Sequence, residues 1–143
     1  MQTKVGDLMR ENPETISPDS TLKEAAQKMG SIDCGVLPVG DKDNPEGIIT
    51  DRDIVLRAVA KGKDVNKEKV KNYMTGQVFY CGKDDTLEQA ARAMHENHVN
   101  RLLVRDSKGK MCGILSFGCI LRKNSRMEDI HKVLECTVGK KAA

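Results

Sequence analysis

The side chains with the greatest chemical potential are T-D-R-D at 50–53, directly after the apolar run G-I-I at 47–49. We predict that a strand ends and a helix begins there, so that unpaired backbone N–H groups can attract an anion such as phosphate. Thr50 can donate its hydroxyl to a phosphate oxygen, and Asp53 can accept from both hydroxyls of a ribose. The same spacing suits a helix cap formed by Thr50 and Asp53, and local sequence alone favours the cap.

No catalytic or metal-binding constellation accompanies this stretch. Asp51 and Asp53 are separated only by Arg52, without a histidine or a second acidic cluster nearby. The five cysteines and three histidines never take a C-x-x-C or other metal-ligand spacing, and nothing in the sequence pairs a cysteine with a histidine as a nucleophile. We therefore predict a cytoplasmic protein that is not an enzyme, needs no cofactor and binds no metal. Reduced thiols are the favoured interpretation of its cysteines, and a disulfide, which spacing cannot assign, stays open.

The elements that position these residues come in two copies. Three segments of the first half return in the second half: 5–9 as 70–74, 22–29 as 87–94, and 47–50 as 113–116. The first two pairs are offset by 65 positions (70 − 5 and 87 − 22), and the third is offset by 66 (113 − 47). Two copies of one unit usually bury a shared core, and the cleft between them is a natural ligand site.

Each copy predicts the order strand, helix, strand, strand, helix. Capping boxes at Thr21 and Thr86 start the first helices. Both helices carry an apolar stripe, at Leu22, Ala25, Ala26 and Met29 and at Leu87, Ala90, Ala91 and Met94. We expect these helices to end at Gly30 and Asn97. The β-prone stretches before them are 15–17 and 78–81.

A hairpin follows in each copy, from Val36 to Ile49 and from Arg101 to Leu115, and a second helix starts at Asp51 or near Phe117. We expect the first of these second helices to reach about Lys61 and to close at Gly62. The resulting division is a first repeat at 1–62, a charged connector at 63–69, a second repeat at 70–123, and a C-terminal helix and tail at 124–143. Within the last segment we predict a helix over 126–135 and a frayed tail from residue 139.

Composition excludes several classes of protein. Aromatic residues make up 3% of the chain and tryptophan is absent, which argues against a stacking platform for single-stranded nucleic acid. The net charge of +3 is mild and its basic residues are dispersed, so we interpret the lysine clusters as solvated loops. No apolar run approaches the roughly 18 residues of a membrane span, and the N-terminus lacks a secretory pattern.

The hairpin sequence G-V-L-P-V at 35–39, followed by G-I-I-T-D-R-D-I at 47–54, resembles the cystathionine-β-synthase (CBS) domain. Two copies in tandem resemble a CBS pair, or Bateman module, from Val5 to Arg122. The resemblance implies an α+β fold of two β-α-β-β-α repeats related by a pseudo-twofold axis. It also implies a homodimer and a regulatory role in which adenosine ligands (AMP, ADP, ATP or S-adenosylmethionine) bind in the clefts between repeats.

The family motif S/T-x-x-D implies that Thr50 meets phosphate and Asp53 meets ribose. We expect the favoured cleft to use seven residues: Ile48, Thr50, Asp53, Phe79, Tyr80, Asn100 and Arg101. Arg101 suits phosphate because its planar fork can donate two hydrogen bonds. In the second copy Ser116 keeps the hydroxyl, but Cys119 replaces the carboxylate and cannot hold two ribose hydroxyls. The weaker cleft would use five residues: Thr15, Ile16, Gly35, Val36 and Ser116.

Three alternatives compete with an adenine-nucleotide sensor whose state is read by an effector protein. The first is a structural or dimerisation module with degenerate clefts, for which the Cys119 replacement speaks. The second is a redox-responsive protein that uses its five cysteines. Binding to nucleic acid ranks last, and a membrane partner is not expected.

Overall fold

The computed structural model describes residues 3–123 and, beyond them, Met127, Glu128, Ile130, His131 and Glu135. The chain forms two compact units. We call Pro13–Val78 the first-repeat unit, and Met1–Asn12 together with Phe79–Ala143 the second-repeat unit. Both units contain helices as well as strands, which confirms the predicted α+β class.

The helices and strands of the described residues are, in chain order, α1 Val5–Leu8, β1 Arg10–Glu11, α2 Leu22–Ile32, β2 Val36–Gly40, β3 Pro45–Thr50, α3 Asp51–Asp53, a π-helix Ile54–Val59, a 3₁₀ helix Val70–Asn72, β4 Tyr80–Gly82, α4 Leu87–Glu96, β5 Arg101–Arg105, β6 Met111–Ser116 and α5 Phe117–Lys123. Both predicted hairpins are present as antiparallel pairs, β2 with β3 and β5 with β6. The second-repeat unit extends its hairpin to a sheet of order β1-β6-β5-β4.

The capping boxes that start α2 and α4 are confirmed. Glu24 N–H donates to the Thr21 hydroxyl at 3.2 Å, and Gln89 N–H donates to the Thr86 hydroxyl at 3.2 Å. Each reciprocal bond is present as well, so two backbone donors are satisfied at each start. Asn97 closes α4 as expected, and its side-chain amide donates to the Ala93 carbonyl at 2.8 Å.

The predicted end of α2 at Gly30 is wrong. The helix continues to Ile32, and Asp33 takes the left-handed conformation (φ 53°, ψ 54°) that closes it. Aspartate tolerates this conformation because its short polar side chain can bond locally. One member of the predicted stripe, Ala26, is exposed, since it lies at the edge of the face that buries Leu22 and Met29.

Two further elements differ from expectation. The predicted α-helix from Asp51 to about Lys61 is a single α-turn followed by a π-helix, in which Ala60 N–H donates to the Val55 carbonyl five residues back. Gly62 stands beyond its end with φ +69°, as the closing role requires. The predicted strand at 15–17 is only a bridge between Ile16 and Val39.

The first short segment of each sequence repeat belongs to the compact unit that holds most of the other repeat. The segment at 5–9 belongs to the second-repeat unit, where Val5 N–H donates to the Asp85 carbonyl at 2.9 Å. The segment at 70–74 belongs to the first-repeat unit, where Val70 N–H donates to the Ser20 carbonyl at 2.8 Å. The boundaries of the compact units, after Asn12 and after Val78, therefore differ from those of the sequence repeats.

Equivalent glycines let these segments lie close to the hairpins. A Cβ at Gly47 would stand 2.7 Å from the Thr75 carbonyl oxygen, and one at Gly113 would stand 2.5 Å from the Met9 sulfur. Real Cβ atoms do not approach so closely. Gly47 therefore needs to be glycine, because the atom it would meet is backbone, whereas at Gly113 the flexible Met9 side chain would have to shift. The glycine that begins each of the runs G-I-I and G-I-L therefore allows another segment to pack closely against the hairpin.

Each unit has its own apolar core. In the first-repeat unit it includes Leu22, Leu37 and Ile49, and in the second-repeat unit it includes Met94 and Leu102. Of the helix predicted over 126–135, the described residues 127, 128, 130, 131 and 135 are helical, and the rest lie outside the described part of the chain, as does the tail from residue 139. Within the described residues, no helix is long and apolar enough to cross a membrane.

Candidate functional site

The Thr50 turn is built by a reciprocal cap between its two functional side chains. Strand β3 ends at Thr50 in an extended conformation, and α3 follows at once. Asp53 N–H donates to the Thr50 hydroxyl oxygen at 3.1 Å, and Thr50 N–H donates to Asp53 Oδ2 at 3.0 Å. The cap that the sequence favours is therefore confirmed.

This cap leaves both side chains with bonding capacity. Thr50 uses its oxygen as an acceptor, so its hydroxyl hydrogen can still be donated. Asp53 engages Oδ2 with the backbone, while Oδ1 lies 4.0 Å from the Arg57 guanidinium nitrogen. The Asp53 side chain is 17% exposed, so it is not fully buried in the fold. Capping and ligand binding are thus compatible at this turn.

The backbone N–H groups of the same turn are already in use, so the predicted cradle of unpaired N–H donors is wrong. Asp51 N–H donates to the Gly35 carbonyl at 2.9 Å, and Arg52 N–H donates to Asp51 Oδ1 at 2.8 Å. Asp53 N–H is bound to Thr50, and Ile54 N–H is bound to the Asp51 carbonyl. The Asp51 carboxylate thereby stands at the start of the helix, where an external anion would otherwise be held.

Arg57 links this turn to the segment at 70–74. Its guanidinium donates to the Tyr73 carbonyl and lies 5.9 Å from the centroid of the Tyr73 ring. Arg57 is four residues after Asp53 in the sequence, and the two side chains have the i,i+4 geometry of an ion pair. Arg57 was not predicted as part of the site, although the D-x-x-x-R spacing of Asp53 and Arg57 is a visible signal for their contact.

Five other predicted residues lie in the same unit as Thr50. Val36 is its direct cross-strand neighbour, Gly35 accepts the bond from Asp51, and Ile48 exchanges two backbone bonds with Thr75. Thr15 offers its carbonyl to the Lys28 ammonium at 2.6 Å, and Ile16 is buried in the core. Four of these five residues were predicted for the weaker cleft, yet two of the four, Gly35 and Val36, adjoin the Thr50 turn.

The equivalent turn of the second-repeat unit keeps the cap without the carboxylate. Cys119 N–H donates to the Ser116 hydroxyl at 3.2 Å, and the Cys119 thiol points to the Ile114 carbonyl at 3.8 Å. The thiol is buried, with 6% of its residue surface exposed. The Cys119 side chain is therefore buried, whereas Asp53, at the equivalent position of the first-repeat unit, is partly exposed.

The remaining predicted residues also lie in the second-repeat unit. Arg101 is the direct cross-strand neighbour of Ser116, and exposed Asn100 precedes it. Phe79 packs against the core, so that its ring serves packing. The ring of Tyr80 is covered by the guanidinium of Arg105, whose Cζ lies 3.5 Å from the ring centroid. This cation–π contact has no local signal in the sequence, because Arg105 stands on the next strand.

Two of the described thiols, those of Cys81 and Cys112, are poorly suited to redox chemistry. Burial, and secondarily the charge of Asp85, raise the pKa of Cys81 to about 12. Burial also raises the pKa of the Cys112 thiol. Because the thiolate is the reactive form, both groups are unreactive near neutral pH. Among the residues that the structure describes, no three histidine, cysteine or acidic side chains are grouped to hold a metal ion.

Two copies of an α+β hairpin unit, each with a hydroxyl-capped strand-to-helix turn, define a tandem repeat module. The family model described as CBS domain matches residues 5–59 and 70–126. The chain therefore belongs to the CBS domain family, whose pairs are regulatory modules.

Relatives in the family agree with this assignment. YhcV, a CBS domain-containing protein of Bacillus subtilis, is 32% identical over 116 residues, which cover 81% of either chain. An uncharacterized protein of Methanopyrus kandleri, MK0525, is 34% identical over 119 residues. This match covers 82% of the present chain but only 61% of MK0525.

Two solved structures of similar fold hold adenosine compounds. The CBS domain pair of MJ0100, in complex with 5′-methylthioadenosine and S-adenosyl-L-methionine, is 27% identical over 85% of this chain and 95% of that chain, with a TM-score of 0.74. CBSX2 in complex with AMP is 27% identical over 84% of this chain and 94% of that chain, with a TM-score of 0.66.

Proposed function

We propose that this chain is a non-catalytic regulatory module that binds an adenosine-containing small molecule through Thr50 and Asp53. The observation that carries the proposal is the reciprocal cap, which fixes both side chains and leaves the Thr50 hydroxyl hydrogen and Asp53 Oδ1 for a ligand. A carboxylate held in this way can accept from both hydroxyls of a ribose.

The adenosine complexes of MJ0100 and CBSX2 support this ligand class, because both proteins resemble the chain over nearly its whole length. The further contacts expected from Ile48, Phe79, Tyr80, Asn100 and Arg101 remain predictions. For Tyr80, a base would have to share or displace the guanidinium of Arg105.

The Asp53 turn is the favoured of two unequal sites. Its counterpart offers Ser116 and an inward, buried Cys119, which cannot hold a ribose diol. The weaker set of Thr15, Ile16, Gly35 and Val36 contributes mainly backbone groups, since the side chains of Ile16 and Val36 are buried.

We infer that ligand binding acts by shifting the population of conformations or assemblies of the module, which an effector protein then recognises. The size of the response is set by the difference in ligand affinity between the two states. A cytoplasmic location, expected from the unpaired cysteines, belongs to the same proposal.

Self-association is a second part of the proposal. Val55, Leu56 and Val59 on the π-helix are 53%, 44% and 58% exposed, which is unusual for three neighbouring apolar side chains. A second copy of the chain could bury this face, so we propose a homodimer formed through it.

Isothermal titration with AMP, ATP and S-adenosylmethionine tests the ligand site. We expect the wild-type chain to bind at least one of them and Asp53→Ala to lose about tenfold or more of that affinity, since a charged hydrogen-bonding group contributes roughly 1.5–3 kcal/mol. Cys119→Ser changes the equivalent position of the other unit and should leave the affinity unchanged. Binding that is the same in Asp53→Ala as in the wild type would exclude this site.

A further inference from the structure

The π-helix of the first-repeat unit exposes a continuous apolar surface. Val55, Leu56 and Val59 are all exposed, and Val59 follows Leu56 by three residues and Val55 by four. Side chains at these spacings are neighbours on the surface of a helix. We call these three residues the apolar stripe. Arg57, the charged residue within 54–59, is engaged with the Tyr73 carbonyl and with Asp53.

The equivalent surface of the second-repeat unit is not apolar. At the offset of 66 positions that relates the two hairpins (113 − 47), the three stripe residues correspond to Leu121, Arg122 and Ser125. Leu121 and Arg122 are exposed on α5, and Ser125 lies outside the described residues. Met127 is exposed too, but Arg122 and exposed Lys123 stand between it and Leu121 in the sequence. The duplicated fold therefore carries one apolar stripe and one mixed, cationic counterpart.

This difference decides which surface can cover the stripe in a second copy of the chain. Contact with the second-repeat surface would bury the Arg122 guanidinium against valine and leucine side chains, and the stripe has no carboxylate to pair with it. Removal of a charge from water without a partner is unfavourable. The exposed charged residues of the first-repeat unit nearest in sequence lie beyond the ends of the stripe and include both signs: Asp51, Arg52, Lys61, Lys63 and Asp64.

We infer that two copies associate like on like, with the stripe of one copy packed against the stripe of the other. The inference rests on the homodimer proposed above and adds its arrangement. A twofold axis produces such a contact, in which the same surface serves on both copies. Because Asp53 directly precedes the π-helix, this arrangement brings the Asp53 turns of both copies beside one interface.

Charge complementation between two variants of the full chain tests the arrangement. The cationic variant is Val55→Lys with Val59→Lys, and the acidic variant is Val55→Asp with Val59→Asp; both replace exposed side chains. In a like-on-like contact each variant alone meets its own charge, so the dissociation constant of either homodimer should rise about hundredfold or more. An equimolar mixture should form a dimer again, because opposite charges then meet. Native mass spectrometry identifies the mixed dimer by its mass.

Leu121→Lys is the matched control, since it places the same charge at the equivalent position of the other unit, and it should stay dimeric like the wild type. Dissociation of this control would overturn the inference. So would an acidic variant that stays dimeric while the cationic variant dissociates, because a stripe that meets Arg122 tolerates carboxylates. Both results leave the proposed homodimer standing.

Two further results complete the test. A mixture that stays monomeric, although both variants melt like the wild type, would also overturn the like-on-like contact. A monomeric wild type, or two variants that both remain dimeric on their own, would remove the proposed homodimer through this surface together with its arrangement.

Discussion

At the scale of single residues, Thr50 and Asp53 cap a helix with some of their atoms, and we propose that they bind a ligand with others. The Thr50 oxygen and Asp53 Oδ2 hold the helix start, and the Thr50 hydroxyl hydrogen and Asp53 Oδ1 take no part in that cap. The T-x-x-D spacing indicated a cap and a ribose contact as alternatives; the structure confirms the cap, and the ribose contact remains a prediction. Spacing could not reveal that Asp51 captures the next N–H, because that depends on a side-chain rotamer.

Cys81 should make stability depend on pH in the alkaline range. Burial raises the pKa of its thiol from 9.0 to about 12, so the folded chain keeps the proton when the unfolded chain loses it. This contribution is fully present below pH 9 and is lost as pH rises toward about 12. Urea unfolding at pH 8 and pH 10.5 should show a larger loss of unfolding free energy for the wild type than for Cys81→Ala.

Tyr73, whose pKa burial also raises, titrates in both proteins and so cancels from this comparison. Equal losses in the wild type and in Cys81→Ala would contradict the account of a buried neutral thiol. A thiolate at Cys81 near neutral pH would instead revive the redox-responsive alternative.

At the scale of elements, the starts of helices were more predictable than their ends. Capping boxes are local, so Thr21 and Thr86 could be recognised from three neighbouring residues. The end of α2 was misplaced because Gly30 fits a helix interior as well as a terminus, and Asp33 took the left-handed position. The π-helix was also missed, since its shift to bonds between residues five apart has no signature in the apolar pattern.

Gly30 and Gly47 should respond in opposite directions to substitution by alanine. A Cβ at Gly30 meets nothing within 4 Å, so Gly30→Ala should stabilise α2 by roughly 0.5–1 kcal/mol. Gly47→Ala would place its Cβ against the Thr75 carbonyl and should cost about 1–3 kcal/mol. Urea unfolding of both variants measures these changes, and a neutral Gly47→Ala would contradict the close approach of the 70–74 segment.

At the scale of the whole molecule, the sequence is duplicated, and the opening segment of each sequence repeat joins the compact unit of the other repeat. The repeated segments allowed both copies to be recognised, but their offsets of 65 and 66 positions carry no information on which unit each opening segment joins. The structure assigns the segment at 5–9 to the second-repeat unit and the segment at 70–74 to the first-repeat unit. Because the second-repeat unit includes the segment at 5–9 from the first sequence repeat, and the first-repeat unit includes the segment at 70–74 from the second, we expect neither sequence repeat alone to be a complete folding unit.

The proposed homodimer has a direct test. Val55→Lys with Val59→Lys places charges on the exposed apolar face of the π-helix, where burial against a second copy would become unfavourable. Sedimentation velocity should show a dimer for the wild type and a monomer for the double variant. Ala26→Lys, at an exposed position of α2, serves as the control and should stay dimeric. A double variant that remains dimeric would place the interface elsewhere.

The central claim is that a chain duplicated in fold carries one favoured adenosine site, at Asp53 and not at Cys119. Native mass spectrometry of the wild-type chain with 5′-methylthioadenosine, S-adenosylmethionine or AMP counts bound molecules per chain directly. The account predicts one molecule per chain for the tightest of these compounds, and none for Asp53→Ala under the same conditions. Two equivalent molecules per chain, or one molecule that persists in Asp53→Ala, would contradict it.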